Sequence, residues 1–292
     1  ESTTPVAFST QNTVGTTTYS WTNDTPGIGL NASGTGDIAA FIPVNSGTSP
    51  IVATIVVTPS YLNNGVLCTG PSKIFTITVN PVADMIQPVS KVVCNGETTS
   101  VNFATSNTGT TTYNWSSDIA IGMPALTGTG SIPNFAAINS GNSPIVATIT
   151  VTPTYTNNGI SCVGLPKTFT ITVNPSADVI QPVTPLILCN GTPTSVNFTT
   201  INTGGLTTYS WTNNTPSIGI SSTGIGSIAT FPVANLGTAP LTASLSVTPT
   251  FTNASKSCSG ATKTFSITIN PTAQVNQPNS QVKCNGESTT PV

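Results

Sequence analysis

Groups able to do acid–base, nucleophilic or metal chemistry are scarce in this chain of 292 residues. It carries 8 acidic residues (Glu1, Asp24, Asp37, Asp84, Glu97, Asp118, Asp178 and Glu287), 6 basic residues that are all lysines, 6 cysteines and no histidine. Histidine is the commonest general base and the commonest metal ligand, so Ser-His-Asp, Cys-His and zinc-hydrolase chemistries are excluded. The carboxylates show no pair at a spacing suited to general acid/base work, and no calcium-loop run. Comparison within the chain shows that they are also replaceable. Asp24 and Asp118 correspond to Asn214, Asp84 and Asp178 to Gln274, and Glu97 to Thr192. A weak calcium site at the Asp24 and Asp118 turns is the only metal reading to weigh against solvated turn residues. The expectation is a non-enzyme without a cofactor.

Charge narrows the classes further. Only 5% of residues are charged and the formal net charge is −2, against about a quarter charged in ordinary domains. There is no arginine and no basic stripe, so nucleic acid is excluded as a partner. A mean hydropathy of +0.17 with 24 prolines and 25 glycines describes a packed, turn-rich chain rather than a disordered one. No apolar run approaches the roughly 18 residues of a membrane span, and the first residues lack a signal-peptide pattern.

These sparse groups recur at fixed intervals. Trp21, Trp115 and Trp211 stand 94 and 96 residues apart, and Cys68, Cys162 and Cys258 repeat the same intervals. Cys94, Cys189 and Cys284 recur every 95 residues, and Lys73 to Pro81 returns as Lys167 to Pro175 and Lys263 to Pro271. The expected domains are 1-80, 81-174 and 175-270, with 271-292 as the leading strand of a next repeat. The first repeat lacks that leading strand. Glu287 to Val292 is identical to Glu1 to Val6, so the chain reads as a window of a longer tandem array.

Within each repeat, apolar and hydroxyl residues alternate with the period of two that marks half-buried strands. Ile145, Ala147, Ile149, Val151 and Tyr155 share one face while Thr148, Thr150, Thr152 and Thr154 take the other. The parity returns at Ile51, Ala53, Ile55, Val57 and Tyr61, and at Leu241, Ala243, Leu245, Val247 and Phe251. Phe169, Ile171 and Val173, Val101 with Phe103, and Tyr113 with Trp115 add further strands. Asn157-Asn158-Gly159 and Thr127-Gly128-Thr129-Gly130 supply turns. About seven short strands with an early tryptophan predict an all-β chain, a tandem array of three immunoglobulin-like (PKD-like) β-sandwich domains. Trp21, Trp115 and Trp211 are expected to be core aromatics between the sheets rather than sugar platforms. Proline beside the last strand stiffens each junction, which predicts a semi-rigid rod.

Two cysteines per repeat without metal-ligand spacing point to disulfides and an oxidising, exported setting. Three arrangements stay open. Bridges within a repeat would be Cys94–Cys162 and Cys189–Cys258, leaving Cys68 and Cys284 to partners outside the window, and this is the leading expectation. Bridges between neighbours would be Cys68–Cys94, Cys162–Cys189 and Cys258–Cys284. All six could also remain thiols. The Asn-x-Ser/Thr sequons and the threonine ladders follow from a composition rich in Asn and Thr and carry little weight.

The Cys94-Asn95-Gly96 turn before Val101 and Phe103, the Tyr-x-Trp strand, the late Gly-x-x-Cys and the terminal Thr-Phe-Thr-Ile-Thr-Val-Asn-Pro resemble PKD-like, immunoglobulin-like repeats of giant surface adhesins of Bacteroidota. More narrowly, they resemble the SprB-type gliding-motility adhesins. The resemblance covers all three repeats. It implies export by type IX secretion, an extracellular, bacterial cell-surface location, and no catalytic motif. The function expected is a structural and adhesive stalk segment of a long repetitive filament. Its partners would be neighbouring repeats of the same polypeptide and surfaces or neutral glycans. The alternatives are carbohydrate-binding or spacer modules of a large secreted enzyme, and a self-assembling extracellular filament subunit in which 271–292 of one chain complete the first domain of the next.

Overall fold

Alternation along the long strands places their apolar residues in the core, as the burial of the third repeat shows. In Leu241–Asn253, the residues Ala243, Leu245, Val247 and Phe251 are fully buried, while the intervening Thr and Ser residues are not. The computed structural model describes residues 2–182, 185–289 and 291. Chain contacts divide it into two compact units. The first comprises Glu1–Lys91, Thr98–Ala137 and Val146–Thr172, and the second Val92–Glu97, Ile138–Ile145 and Val173–Val292.

The second unit shows the complete plan in the third repeat. One sheet runs Leu186–Cys189, Lys263–Asn270, Leu241–Asn253, Leu206–Asn213, Thr223–Ile225, with Lys256–Ser259 also on Leu241–Asn253. The long central strand pairs by its first half with Lys263–Asn270 and by its last turns with Lys256–Ser259. A two-stranded sheet, Pro193–Val196 with Ile228–Pro232, lies opposite. One core joins both sheets: Val196, Phe198, Ile228, Phe231 and Val233 from one side meet Trp211, Leu245, Val247 and Ile267 from the other. That is an immunoglobulin-like sandwich, closed by an aromatic triplet in which Phe198 stands 5.7 Å from Tyr209 and 6.0 Å from Phe265 between ring centroids.

The first unit holds the first repeat, whose sheet lacks a leading strand, and most of the second. Ser33–Thr35, Thr16–Asn23, Ile51–Asn63 and Val66–Thr69 form one sheet in that order, with Lys73–Val79 also on Ile51–Asn63. Thr110–Ser117 pairs antiparallel with the strand Ile145–Asn157 in the register Trp115↔Val151, matching Trp21↔Val57 and Trp211↔Val247. Among the described residues the fold is all-β apart from two 3-10 turns, Pro26–Ile28 and Pro216–Ile218, each of which buries its isoleucine.

The three tryptophans are 5–8% exposed. Each indole packs against a glycine of the next strand: Trp21 on Gly34, Trp115 on Gly128 and Trp211 on Gly224. A Cβ at any of these glycines would stand 2.1–2.4 Å from the indole Cζ2, so the Ser-Gly-Thr, Thr-Gly-Thr and Thr-Gly-Ile strands are glycine-dependent through packing. The indole N–H groups have no acceptor among the described residues.

Two-residue hairpin turns of type I′ need left-handed backbone at both central positions. Asn64-Gly65 (φ 50° and 83°) and Asn158-Gly159 (φ 49° and 76°) provide it with favoured residues, whereas the third repeat uses Ala254 (φ 47°) and Ser255 (φ 61°). For an L-residue with a Cβ that conformation costs roughly 1–2 kcal/mol per residue. Replacing both, Ala254→Asn with Ser255→Gly, is expected to raise the unfolding free energy by about 1–2 kcal/mol. Gly128→Ala is expected to lower it by about 1–3 kcal/mol. Urea denaturation followed by tryptophan fluorescence measures both.

Candidate functional site

With catalytic groups so sparse, the richest clusters of polar side chains lie where the end of one sequence repeat meets the hairpin of the next. Each unit holds one such joint. In the second unit, the side chain of the fully buried Asn174 donates to the carbonyls of Asn253 (3.3 Å) and Lys256 (3.3 Å) and accepts from Asn253 Nδ2 at 3.0 Å. The first unit does the same with Asn80 and Asn157, whose Nδ2 donates to Asn80 Oδ1 at 2.8 Å. A terminal strand is thus clasped amide to amide by the next hairpin.

The linkers after these strands are strapped down by a second asparagine. Asn107 Oδ1 accepts the Asp84 N–H at 2.6 Å while its Nδ2 donates to the Val82 carbonyl. Asn202 repeats this with Asp178 (2.6 Å) and Ser176 (3.1 Å). Ala83, Met85, Ala177 and Val179 are buried beneath. Gly164 and Gly260 press against the Ala83 and Ala177 carbonyls so closely that a Cβ would collide with them. A third asparagine holds the loop before the long strand: Asn139 donates to Ser143 and Val173 carbonyls (2.9 and 2.7 Å) and accepts from Gly141 N–H, and Asn45 and Asn235 do likewise.

The charged residues serve the same joints. Lys167 bridges Asp84 at 3.0 Å and also donates to the Met85 carbonyl; Lys263 bridges Asp178 at 2.8 Å and donates to the Val179 carbonyl. Lys256 meets Glu97 at 2.9 Å. The Lys167 ammonium holds the Asp84 carboxyl below its ordinary range, and the Cys94 N–H, reinforced by Lys256, does so for Glu97. Asp24 is lowered chiefly by the Thr54 N–H, which it accepts at 2.7 Å. Asp118 accepts the Thr148 N–H and Asn214 the Ser244 N–H in the same place, both at 2.8 Å. These turn residues therefore act as strand acceptors, a task an amide performs as well as a carboxylate. Among the described residues no cluster of three or more metal-ligating side chains occurs.

The cysteines depart from the leading expectation. Cys94 is bonded to Cys258, 164 residues away, with Cα atoms 5.5 Å apart, and Cys68, Cys162, Cys189 and Cys284 are thiols. The expected Cys94–Cys162 and Cys189–Cys258 bridges are not formed, and neither is the neighbour register Cys68–Cys94, Cys162–Cys189, Cys258–Cys284. The reason lies in strand direction. Leu186–Cys189 runs parallel to Lys263–Asn270, which puts Cys189 beside Asn270 at the Leu241 end of the long strand, whereas Cys258 sits opposite Phe251. About ten residues of extended strand separate the two levels, roughly 33 Å, and a bridge tolerates less than about 7 Å between Cα atoms. Cys94 instead reaches the hairpin of the following repeat.

No protein-family profile and no curated protein matches this sequence. Solved structures align with this chain at low identity. The three N-terminal domains of the highly immunogenic outer capsid protein of bacteriophage RB49 align over 88% of this chain and 89% of theirs, at 12% identity and a TM-score of 0.41. Drosophila N-cadherin EC1-4 aligns over 87% and 66%, at 12% identity and 0.36. The eight N-terminal immunoglobulin domains of Down syndrome cell adhesion molecule align over 91% and 42%, at 12% identity and 0.38.

Two outcomes follow from the joints. Closing a loop of this size by a disulfide is worth about 5 kcal/mol in chain entropy, so reduction or Cys94→Ser is expected to lower stability by about 2–5 kcal/mol, read as a shift in the urea midpoint. Asp84 and Glu97 have folded pKa values depressed below their unfolded ones. Their stabilisation is therefore complete above about pH 4.5 and is lost as pH falls through the depressed values. With no histidine to titrate, the melting temperature should stay level from pH 5 to 8 and decline only below about pH 4, as thermal scans would record.

Proposed function

We propose that this chain is a structural and adhesive stalk segment of a long repetitive extracellular filament. Its domains in this reading are 1-80, 81-174, 175-270 and the opening strand 271-292 of a further repeat. The observation that carries the proposal is the placement of polar chemistry. The Lys256–Glu97 pair, the disulfide and the Asn80–Asn157 and Asn174–Asn253 clasps each tie one repeat to the next, while the outward strand faces bear chiefly Thr, Ser and Asn with scattered apolar residues such as Val52, Ile74 and Ile187. Chemistry invested in holding successive repeats together serves a spacer or stalk, and an enzyme would be expected to gather such groups around a pocket.

In the finer form of this reading, the segment belongs to a surface adhesin of the SprB gliding-motility type on a bacterial cell. There the filament contacts abiotic surfaces or neutral glycans along its length. A hydroxyl- and amide-coated surface has few charges to screen, so its contacts depend little on salt. The test is retention of beads coated with the chain on glass and on neutral polysaccharide across a salt series. Equal retention from low to high salt is expected. Retention that collapses as salt is raised, or none above that of uncoated beads, would overturn the adhesive reading.

A further inference from the structure

The entering and leaving segments of the third repeat run side by side and in the same direction. The linker approaches first: Asp178 bridges Lys263 at 2.8 Å, and Gln181 Nε2 donates to the Thr264 carbonyl at 2.8 Å. Leu186–Cys189 then pairs in parallel with the same strand, from Leu186↔Ile267 to Cys189↔Asn270. Beyond it the Asn190 N–H donates to the Asn270 carbonyl at 3.0 Å. Asn190 Oδ1 also accepts the N–H of Asn235, whose Nδ2 donates to the Ile269 carbonyl at 2.7 Å. Contacts are thus spread over the whole of Lys263–Asn270, and Leu186 and Leu188 hold the entering strand on the core.

This direction decides how the repeat answers a pull. Tension on the chain draws the segment at Asp178 back along its own axis and draws Asn270 forward along its own, so the two slide past one another. Every contact between them is then loaded at once. An antiparallel pair pulled from neighbouring ends opens one bond at a time instead. Leu241–Asn253 offers that contrast within the same sheet, since Leu241 stands opposite Ile269. Forced unfolding is governed by the height of the unfolding barrier, and a barrier at which many bonds must break together is the higher of the two.

The disulfide sits where it can divert this load. Cys258 precedes Lys263 in the chain, and its bond to Cys94 lets tension arriving at Cys94 pass directly into Lys263–Asn270. The entering segment, residues 178–190, lies inside the enclosed loop and carries nothing while the bond holds. We propose that the third repeat is a force clamp gated by the redox state of Cys94 and Cys258, idle while the bond is closed and loaded in shear once it is opened. Opening is a thiol–disulfide exchange. A dithiol such as dithiothreitol closes its own S–S bond, giving up two electrons and two protons, and the two cysteines become thiols. The load then enters through Asp178 and is held by the parallel pair, so loss of the covalent tether hands tension to a second restraint.

The proposal deepens the stalk reading, on which it rests for the source of tension, by naming the elements that bear it. The full chain is held by its two ends in optical tweezers, with oxidised glutathione or with dithiothreitol. The enclosed loop holds most of two repeats. Dithiothreitol is therefore expected to add two unfolding steps of about 300 Å each, at roughly 3.6 Å per residue, which the oxidised chain lacks. Cys258→Ser should show them in both buffers. In dithiothreitol, handles moved to residues 178 and 270 should need a several-fold higher force to open the repeat than handles at 241 and 270. The same steps in both buffers, or equal forces for the two attachments, would overturn the proposal. Clamping as described by a chain whose coated beads fail to adhere overturns the stalk reading alone.

Discussion

Burying an amide is tolerable only when its hydrogen-bonding valences are met, and the joints of this protein rest on that condition. Asn174 is fully buried, and its side chain is satisfied solely by main chain and side chain of the Asn253 hairpin. An unsatisfied group of this kind costs roughly 1–3 kcal/mol, so the terminal strand and the next hairpin are each correct only when the other is in place. Asn139 and Asn235 extend the condition inward, since both reach the last strand of their repeat from the loop that precedes the long one. The clasp therefore couples the ends of sandwiches whose cores are otherwise apolar and separate.

This dependence explains why so few charges suffice. An amide supplies donors and an acceptor without the desolvation penalty of an ion. The ion pairs that do occur sit at half-exposed positions, where they orient the linkers rather than support the core. Replacement of Asp24 by Asn at position 214 then has a physical reading, because each uses one oxygen to accept a strand N–H.

Much of the fold was legible in alternation alone. The parity of Leu241 to Phe251 and its two copies gave the long strand and its inner face, and Asn158-Gly159 gave the hairpin. Three features were not legible in that way. Gly128 reads as part of a turn but lies in the strand Thr127–Thr129, and only the packing of an indole onto the adjacent strand reveals why no side chain fits there or at Gly34 and Gly224. The asparagines at 80, 107 and 139 recur at the repeat period, but composition rich in Asn hides them until their partners are known. The cysteine pairing depends on the leading strand running parallel to the last one. Strand direction leaves no trace in residue alternation, and it moves Cys189 by the length of the sheet from Cys258.

The bridge between Cys94 and Cys258 has a mechanical corollary. Tension applied along the chain passes through the S–S bond and bypasses the chain enclosed by a sequence separation of 164. At roughly 3.6 Å per residue, nearly 600 Å of contour is withheld from stretching for as long as the bond lasts. After reduction that length is restrained only by the sheets and cores it is folded into, so the redox state of a single bond decides whether unfolding of the enclosed residues can lengthen the molecule.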